Sequence, residues 1–187
     1  MEKRGANWFR RGSIPPTRSA LALVSVFIGV LAVLLVPREA VAEDNARVPA
    51  AIADFDNLDT SGESSERTAA HAERVLAFAG ILRDTLAEQE KFEIVELVCP
   101  SSPCSVSRVR QNPLMQAARD SGARVLVYGG IQKMSTLVQF GFIEAIDLKT
   151  GQSVFGQAIS FRGDTDEAFR RAALYVSDYL NDVPFAP

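Results

Sequence analysis

Apolar positions recur along the chain with the periods of helices and strands. Residues 66–89 repeat apolar side chains at the spacing of one helical face, which predicts a long amphipathic helix. The repeating positions are Val75, Ala79, Leu82 and Leu86. Two further helices are predicted, over residues 113–120 and from Asp164 onward, where Asp164 and Glu167 have the spacing of a capping box.

Five short apolar runs have the length and composition of β-strands. They cover residues 49–55, 92–98, 124–134, 137–148 and 152–161. Residues 56–65 are predicted as a loop because Asp, Asn, Ser and Gly dominate them. In the order β-α-β-α-β-β-β-α, the two crossovers require parallel pairing and the two tight turns require antiparallel pairing. The sequence therefore predicts an α/β fold, a mixed five-stranded sheet with helices on both faces.

The N-terminal residues have the three-part organisation of a secretory signal peptide. Residues 1–19 contain five Lys and Arg residues, residues 20–36 carry no charge, and small residues precede Glu43. The apolar run of about 17 residues is shorter than the roughly 20 that span a membrane comfortably. We therefore expect a signal peptide over residues 1–42, cleaved after Ala42, and export to the bacterial periplasm.

Removal of the signal peptide changes the charge of the chain. The remainder contains 14 basic and 21 acidic residues, a net charge of −7. We expect a flexible lead-in over residues 43–48 and a single α/β domain over residues 49–187. An acidic surface argues against binding to nucleic acid or anionic lipid. The expected partner is an envelope protein, and the membrane is contacted only through the signal segment if that segment stays uncleaved.

Cys99 and Cys104 are the only two cysteines of the chain. An even pair this close in an exported protein predicts a disulfide. Two alternatives stay open, a redox-active pair and a metal site. Redox motifs have two residues between the cysteines rather than four, and a zinc site needs two further ligands.

Asp54, Asp56 and Asn57 are the best candidates for a ligand-binding site. They follow the first predicted strand, and ligands of open α/β sheets bind beyond the carboxyl ends of the strands. The alternative is that these side chains build the turn itself. The only histidine, His71, is interpreted as an ordinary surface or half-buried residue, and Gly129-Gly130 as a bulge or a close backbone crossing. No catalytic set, metal site or cofactor motif is recognised, so we predict no enzymatic activity and no cofactor.

Four segments carry a resemblance to a known family. They are Ala53-Asp54-Phe55-Asp56-Asn57-Leu58, residues 86–95, residues 117–130 and Ile146-Asp147-Leu148-Lys149-Thr150-Gly151-Gln152. In order and spacing the chain resembles the N-terminal domain of TolB and, more closely, the DUF2380 family of secreted bacterial proteins of unknown function. The resemblance implies a fold of the anticodon-binding-domain type and a role in binding or assembly rather than catalysis.

Two functional hypotheses follow from these observations. The first is an exported, non-enzymatic periplasmic protein that serves as a protein-binding or assembly module of the cell envelope. The second is a ligand- or metal-binding accessory protein of a periplasmic oxidative system, such as a quinoprotein dehydrogenase.

Overall fold

The computed structural model describes residues 47–185. The predicted signal peptide of residues 1–42 lies outside the described residues, as do residues 43–46 of the predicted lead-in and residues 186–187 at the end of the predicted domain. Within the described part, no helix is both long enough and apolar enough to span a membrane.

Six strands and four helices form the part of the chain from residue 47 to residue 185. The strands are β1 Val48–Ile52, β2 Asp56–Asp59, β3 Phe92–Ile94, β4 Val125–Lys133, β5 Val138–Asp147 and β6 Gln152–Arg162. The helices are α1 Ser65–Ala87, α2 Val106–Val109, α3 Gln111–Asp120 and α4 Asp166–Asp182. The predicted α/β class, with a mixed sheet and helices on both faces, is confirmed.

The strand order is β3-β1-β4-β5-β6, and β2 pairs with the far half of β4. Strand β1 is parallel to β3 and β4, whereas β4, β5 and β6 form an antiparallel meander. In the register of the meander, Gln132 of β4 lies opposite Phe140 of β5, which lies opposite Ser160 of β6. The described sheet therefore ends at β3 on one side and at β6 on the other.

The strand predicted over residues 49–55 is interrupted, and the sheet has six strands rather than five. The N–H of Ala53 still donates to Val127 O at 2.9 Å, but the N–H of Asp54 donates to Cys104 O at 2.9 Å. At Asp54 the backbone thus leaves the sheet and contacts the loop after β3. It rejoins the sheet at Asp56, so part of the predicted loop is strand β2.

Helices α1 and α4 cover one face of the sheet. The four positions of the predicted α1 stripe, from Val75 to Leu86, are fully buried there. Phe78 of α1 meets Phe55 with ring centroids 4.8 Å apart, and Phe169 of α4 meets Phe161 of β6 at 5.2 Å. This layer forms the larger of two apolar cores.

Helices α2 and α3 cover only one end of the opposite face. Leu114 and Ala118 of α3 are buried there in the smaller core, against residues such as Leu126 and Ile146. Beyond α3 the sheet is uncovered, and Phe142 of β5 is 49% exposed.

The close packing around Gly129 accounts for a glycine at this position of β4. A Cβ at this position would lie 2.2 Å from Phe142 O and 2.9 Å from Phe55 Cε1. Strand β4 keeps its register through Gly129 and Gly130, whereas the irregularity of the sheet lies between Ala145 and Ile146. The close approach of two backbones, rather than a bulge, therefore requires glycine here.

Helix α4 begins differently from the predicted capping box. Thr165 is the N-cap, and its side chain accepts a hydrogen bond from the Ala168 N–H at 3.2 Å. Glu167 pairs instead with Arg170 at 2.8 Å. Asp164 lies outside the helix, and its carboxylate contacts Lys133 at the end of β4.

Candidate functional site

The loop between β3 and α2 lies against the carboxyl end of β1. The sulfur atoms of Cys99 and Cys104 are at disulfide distance, with their Cα atoms 5.7 Å apart. The Cys104 backbone accepts the Asp54 N–H and donates its own N–H to the Asp54 carboxylate at 2.8 Å. The disulfide loop is thus tied to the sheet at the residue where β1 ends.

Asp54 and Asp56 both hold this loop. The second oxygen of the Asp54 carboxylate accepts a hydrogen bond from Arg83 of α1 at 3.0 Å. The Asp56 carboxylate accepts from the N–H of Ser107 at 3.1 Å and also from the Ser107 hydroxyl. The partners on the loop lie some fifty residues further along the chain, so these bonds are not the local turn contacts considered from the sequence.

Asn57 does not join Asp54 and Asp56 in these contacts with the disulfide loop. Its residue pairs with Ile131 through strand β2, and its side chain is exposed. A cavity of about 520 Å³ lies beside Asp54 and Arg83, and a smaller one of about 290 Å³ lies beside Asp56 and Asn57. Among residues 47–185, no three His, Cys, Asp or Glu side chains are grouped so that they could hold a metal ion. A ligand site at Asp54, Asp56 and Asn57 stays a prediction.

A second polar cluster lies at the other end of the sheet, at the margin of the larger core. Lys133 is fully buried and its ammonium pairs with two carboxylates, Asp164 at 2.6 Å and Glu63 at 2.5 Å. Asp164 also accepts from His71 Nδ1 at 3.0 Å and from Arg74 at 3.1 Å. The cluster joins the loop before α1, the end of β4 and the start of α4.

The electrostatics of this cluster favour its charged forms. Burial opposes ionisation of Asp164, but the hydrogen bonds from Lys133 and His71 outweigh it and hold the pKa of Asp164 below its usual value. The hydrogen bond from Lys133 likewise lowers the pKa of Glu63. Burial opposes the charge of Lys133, yet its two carboxylate partners raise its pKa. Lys133, Asp164 and Glu63 are therefore all charged, and the two carboxylates pair with the ammonium of Lys133.

The interpretation of His71 as a surface or half-buried residue is wrong. The side chain is fully buried between α1 and α4, with its ring 5.6 Å from that of Phe169. Its Nε2 atom has no hydrogen-bond partner among the described residues. His71 precedes Val75 by one helical turn, so it continues the apolar stripe of α1, and this spacing was the available signal.

The edge at β6 carries a groove. Strand β6 pairs with β5 alone in the described sheet, and its outer side faces a cavity of about 490 Å³ beside α4. The floor of the groove is apolar, with Ile159 and Ala172 both more than nine-tenths buried. Tyr175, which is 47% exposed, forms part of the rim. Nothing in the sequence pattern marked this groove, because its two walls are separate elements.

The groove is basic although the domain is acidic. Its lining includes Arg162 of β6 and Arg171 of α4 and no carboxylate. Neither arginine forms a salt bridge within residues 47–185, whereas the neighbouring Arg170 is paired with Glu167. Both Arg162 and Arg171 are exposed, and Glu167 attracts Arg171 without forming a salt bridge to it.

A row of two apolar and two polar side chains crosses the uncovered face of the same sheet. Leu58, Gln132, Phe140 and Ser160 lie side by side on four strands, as the pairing registers place them. Leu58 is 55% exposed and Phe140 is 40% exposed. The row ends at β6, so the edge with the groove and the uncovered face meet at one strand.

These features define a class of protein. It is a small mixed α/β domain with one disulfide-closed loop, and among the described residues its outermost strand, β6, pairs with β5 alone. The chain belongs to the family described as "Protein of unknown function (DUF2380)", whose model matches residues 48–180. The family membership predicted from four short segments is confirmed by this match. No curated protein matches the chain in sequence.

Solved structures with a similar fold include three bacterial proteins. TolB from Acinetobacter baumannii is 16% identical with a TM-score of 0.47, over 72% of this chain and 27% of TolB. The PelC dodecamer from Paraburkholderia phytofirmans is 13% identical with a TM-score of 0.46, over 70% of this chain and 86% of PelC. The LpoB C-terminal domain from Escherichia coli is 15% identical with a TM-score of 0.41, over 60% of this chain and 81% of that domain. The chain thus spans about a quarter of the TolB length.

Proposed function

We propose that this chain is an exported, non-enzymatic module of the bacterial cell envelope that binds another protein through the groove between β6 and α4. The observation that carries the proposal is the open edge of β6, which borders an apolar floor and an aromatic and basic rim. The signal-peptide pattern of residues 1–42 supports a place in the periplasm for this module.

The two edges of the sheet differ in a way that favours β6 as a contact surface. Folded proteins protect sheet edges with short strands, prolines, charges or bulges, because unpaired backbone groups attract other strands. Strand β3 at one edge has three residues. Strand β6 has eleven residues, contains no proline, and has its irregularity near its beginning, opposite Ala145 and Ile146. The stretch from Phe155 to Arg162 is left regular and open.

The side chains around this edge are those that protein interfaces favour. Tyrosine and arginine are enriched where interfaces are buried most, and they contribute most of the binding energy there. The groove offers Tyr175, Arg162 and Arg171 above a floor that is already packed. Tyr179 extends the aromatic rim, with its ring 4.8 Å from that of Tyr175.

The polar clusters elsewhere in the domain support a structural rather than a catalytic use. The Asp54 and Asp56 carboxylates hold the disulfide loop, and the Lys133, Asp164 and Glu63 ions hold the elements around β4. General acid–base work needs a side chain that can reach a substrate, and the buried Lys133 is enclosed by its own partners.

Site-specific crosslinking tests the proposal in cells that express the full chain. A photoreactive phenylalanine analogue replaces Ser160 at the groove or, as the control, Gln116 on the exposed side of α3. We expect the variant at position 160 to give a discrete crosslinked product with another envelope protein, and the control to give none. Identical products from both positions, or a product that contains this chain alone, would contradict the proposal.

A further inference from the structure

The chemistry of the β6–α4 groove specifies the kind of segment that it accepts. Resting on the proposed function, we infer that the partner inserts an extended, acidic segment that pairs with β6 as an added strand. An apolar side chain of this segment lies on the groove floor, and its carboxylates contact Arg162 and Arg171. The segment belongs to another protein rather than to a second copy of this chain.

The backbone of β6 provides the first part of this argument. From Phe155 to Arg162 the strand pairs residue by residue with β5, without a further shift of register. A regular strand presents outward N–H and C=O groups at every second residue, about 6.6 Å apart. An extended peptide can therefore pair with this edge, and main-chain hydrogen bonds then supply affinity for any sequence that stays extended.

The alternation of side chains provides the second part. Ile159 and Phe161 point toward the core layer beneath α4, whereas Ser160 and Arg162 follow Phe140 and Val138 on the other face. An added strand has the same alternation. Every second side chain of the segment then faces the apolar floor and Arg171 on α4, and the remaining ones face Ser160 and Arg162.

Charge decides which side chains the segment carries. No carboxylate lines the groove beside the two arginines, although Glu167, one turn before Arg171 on α4, interacts with Arg171 electrostatically, and the rest of the exported chain is acidic. Carboxylates bind arginine through strong, often bidentate hydrogen bonds. A basic segment would meet like charge at the groove itself. An acidic segment would form ion pairs with Arg162 and Arg171, and these pairs make the groove selective for acidic over basic segments.

A second copy of the chain fits the groove less well. Pairing of two β6 strands would bring together two segments from Gln152 to Arg162 that contain no Asp or Glu. The arginines would gain no carboxylate from the added strand. The charge pattern therefore favours a heterologous segment over self-association.

Synthetic peptides of defined charge test the inference with the protein purified from cells that express the full chain. The first peptide repeats Val-Glu-Glu-Thr twice, which places glutamate on both of its faces and valine on the face toward the groove floor. The second has lysine for every glutamate, and the third is the acidic peptide with alternate backbone amides methylated. We expect the acidic peptide to bind at least about tenfold more tightly than the basic one. Backbone methylation should remove most of this binding, since it removes the donors of an added strand.

Charge-reversed variants locate the binding. Arg162→Glu and Arg171→Glu should each weaken binding of the acidic peptide about tenfold, and together they should favour the basic peptide. Arg108→Glu makes the same change of charge on exposed helix α2, on the opposite face, and should leave binding unchanged. Amide signals of β6 and α4 should shift on binding in NMR spectra, with unchanged thermal midpoints showing that the variants are folded.

Several outcomes would overturn the inference. Equal binding of the acidic and basic peptides, or no binding of either, would show that carboxylates are not selected. Loss of binding in Arg108→Glu would place the contact on the other face. Dimerisation abolished by the Arg162→Glu and Arg171→Glu changes would identify a second copy as the occupant. If crosslinking at position 160 still captures an envelope protein in these cases, the proposed function remains supported and only the inference of an acidic partner segment is rejected.

Discussion

The ammonium of Lys133 lies 2.6 Å from the Asp164 carboxylate in the interior of the domain. The contact joins the last residue of β4 to the residue just before the N-cap of α4. A buried ion pair contributes little compared with a well-packed apolar pair, but removal of one partner leaves an uncompensated charge. This relationship makes Lys133 a sensitive point of the fold.

Replacement of Lys133 by methionine is expected to lower the free energy of unfolding by about 3 kcal/mol, as measured by urea denaturation. The value lies at the lower end for a broken buried pair, since Arg74 and His71 still contact Asp164. Arg67→Met is the matched control, because Arg67 also pairs with Glu63 but its side chain is 65% exposed. A loss for Arg67→Met as large as that for Lys133→Met would contradict the importance of burial.

Acid is expected to destabilise the domain through carboxylates whose pKa is lowered in the folded state. The hydrogen bonds from Ser61 lower the pKa of Asp59 to about 2 from 3.8, and Lys133 lowers the pKa of Glu63 from 4.5. A carboxylate of lowered pKa stabilises the fold fully above its unfolded pKa, and this contribution is lost as the pH falls through its folded value. Stability should therefore decline from about pH 4.5 down to pH 2.

Urea denaturation between pH 7 and pH 2 measures this decline. Asp59→Asn should flatten the part of the curve closest to pH 2, since its side chain no longer titrates. Asp120→Asn, on an exposed end of α3, serves as the control. A free energy of unfolding that is the same at pH 5 and pH 2.5 would be inconsistent with the ion cluster around Lys133.

The fold could be predicted from the sequence where an element buries one face over many residues. Helix α1 and strand β5 have this property, and their periodicity can be recognised from the sequence alone. Strand β4 is buried on both faces and is recognised instead as a short apolar run. Strand β2 could not be found in this way. Its four residues, Asp56 to Asp59, are mostly polar, and they form a strand because they pair with Gly130 to Lys133, more than seventy residues away.

The candidate site could be predicted less well, for the same reason. Lys133 follows the buried Ile131 by two residues in a strand, so alternation alone pointed it into the core. The identity of its partners depends on how the loop before α1 and the turn before α4 meet in space. The β6–α4 groove likewise arises from two separate elements, and neither has an unusual sequence.

Gly129 and Gly80 are expected to respond in opposite ways to replacement by alanine, because only Gly129 is crowded by a neighbouring strand. Gly129→Ala should lower the free energy of unfolding by at least about 2 kcal/mol, because the new methyl group would overlap Phe142 O. Gly80→Ala should instead raise it by up to about 1 kcal/mol, since position 80 is helical and has open space around it. Thermal denaturation of both variants measures the difference. A tolerated alanine at position 129 would contradict the close approach of β4 and β5.

Export and oxidation should be visible in the mass of the intact protein. We expect the periplasmic form to begin at Glu43 and to be two hydrogen atoms lighter than its reduced form, because Cys99 and Cys104 are joined. Mass spectrometry with and without a reductant tests both points in one sample. A chain that retains residues 1–42 and two free thiols would remove the basis for a periplasmic role.

Asp54 is expected to matter for stability more than Asn57, although the two side chains are close in sequence. Asp54→Ala removes the acceptor of the Cys104 N–H and of Arg83, and should cost about 2 kcal/mol. Asn57→Ala changes an exposed side chain and should alter stability by less than about 0.5 kcal/mol. Urea denaturation of both variants gives these values.

The same two variants also distinguish the structural use of this region from the ligand site that the sequence predicted. A structural use implies that calcium, magnesium or zinc leaves the thermal midpoint of the parent protein unchanged. A midpoint raised by one of these ions, and no longer raised in Asn57→Ala, would instead establish a ligand site at Asp54, Asp56 and Asn57. That result would favour the hypothesis of a metal-binding accessory protein, because an exposed side chain with no structural bond would then be needed for the response.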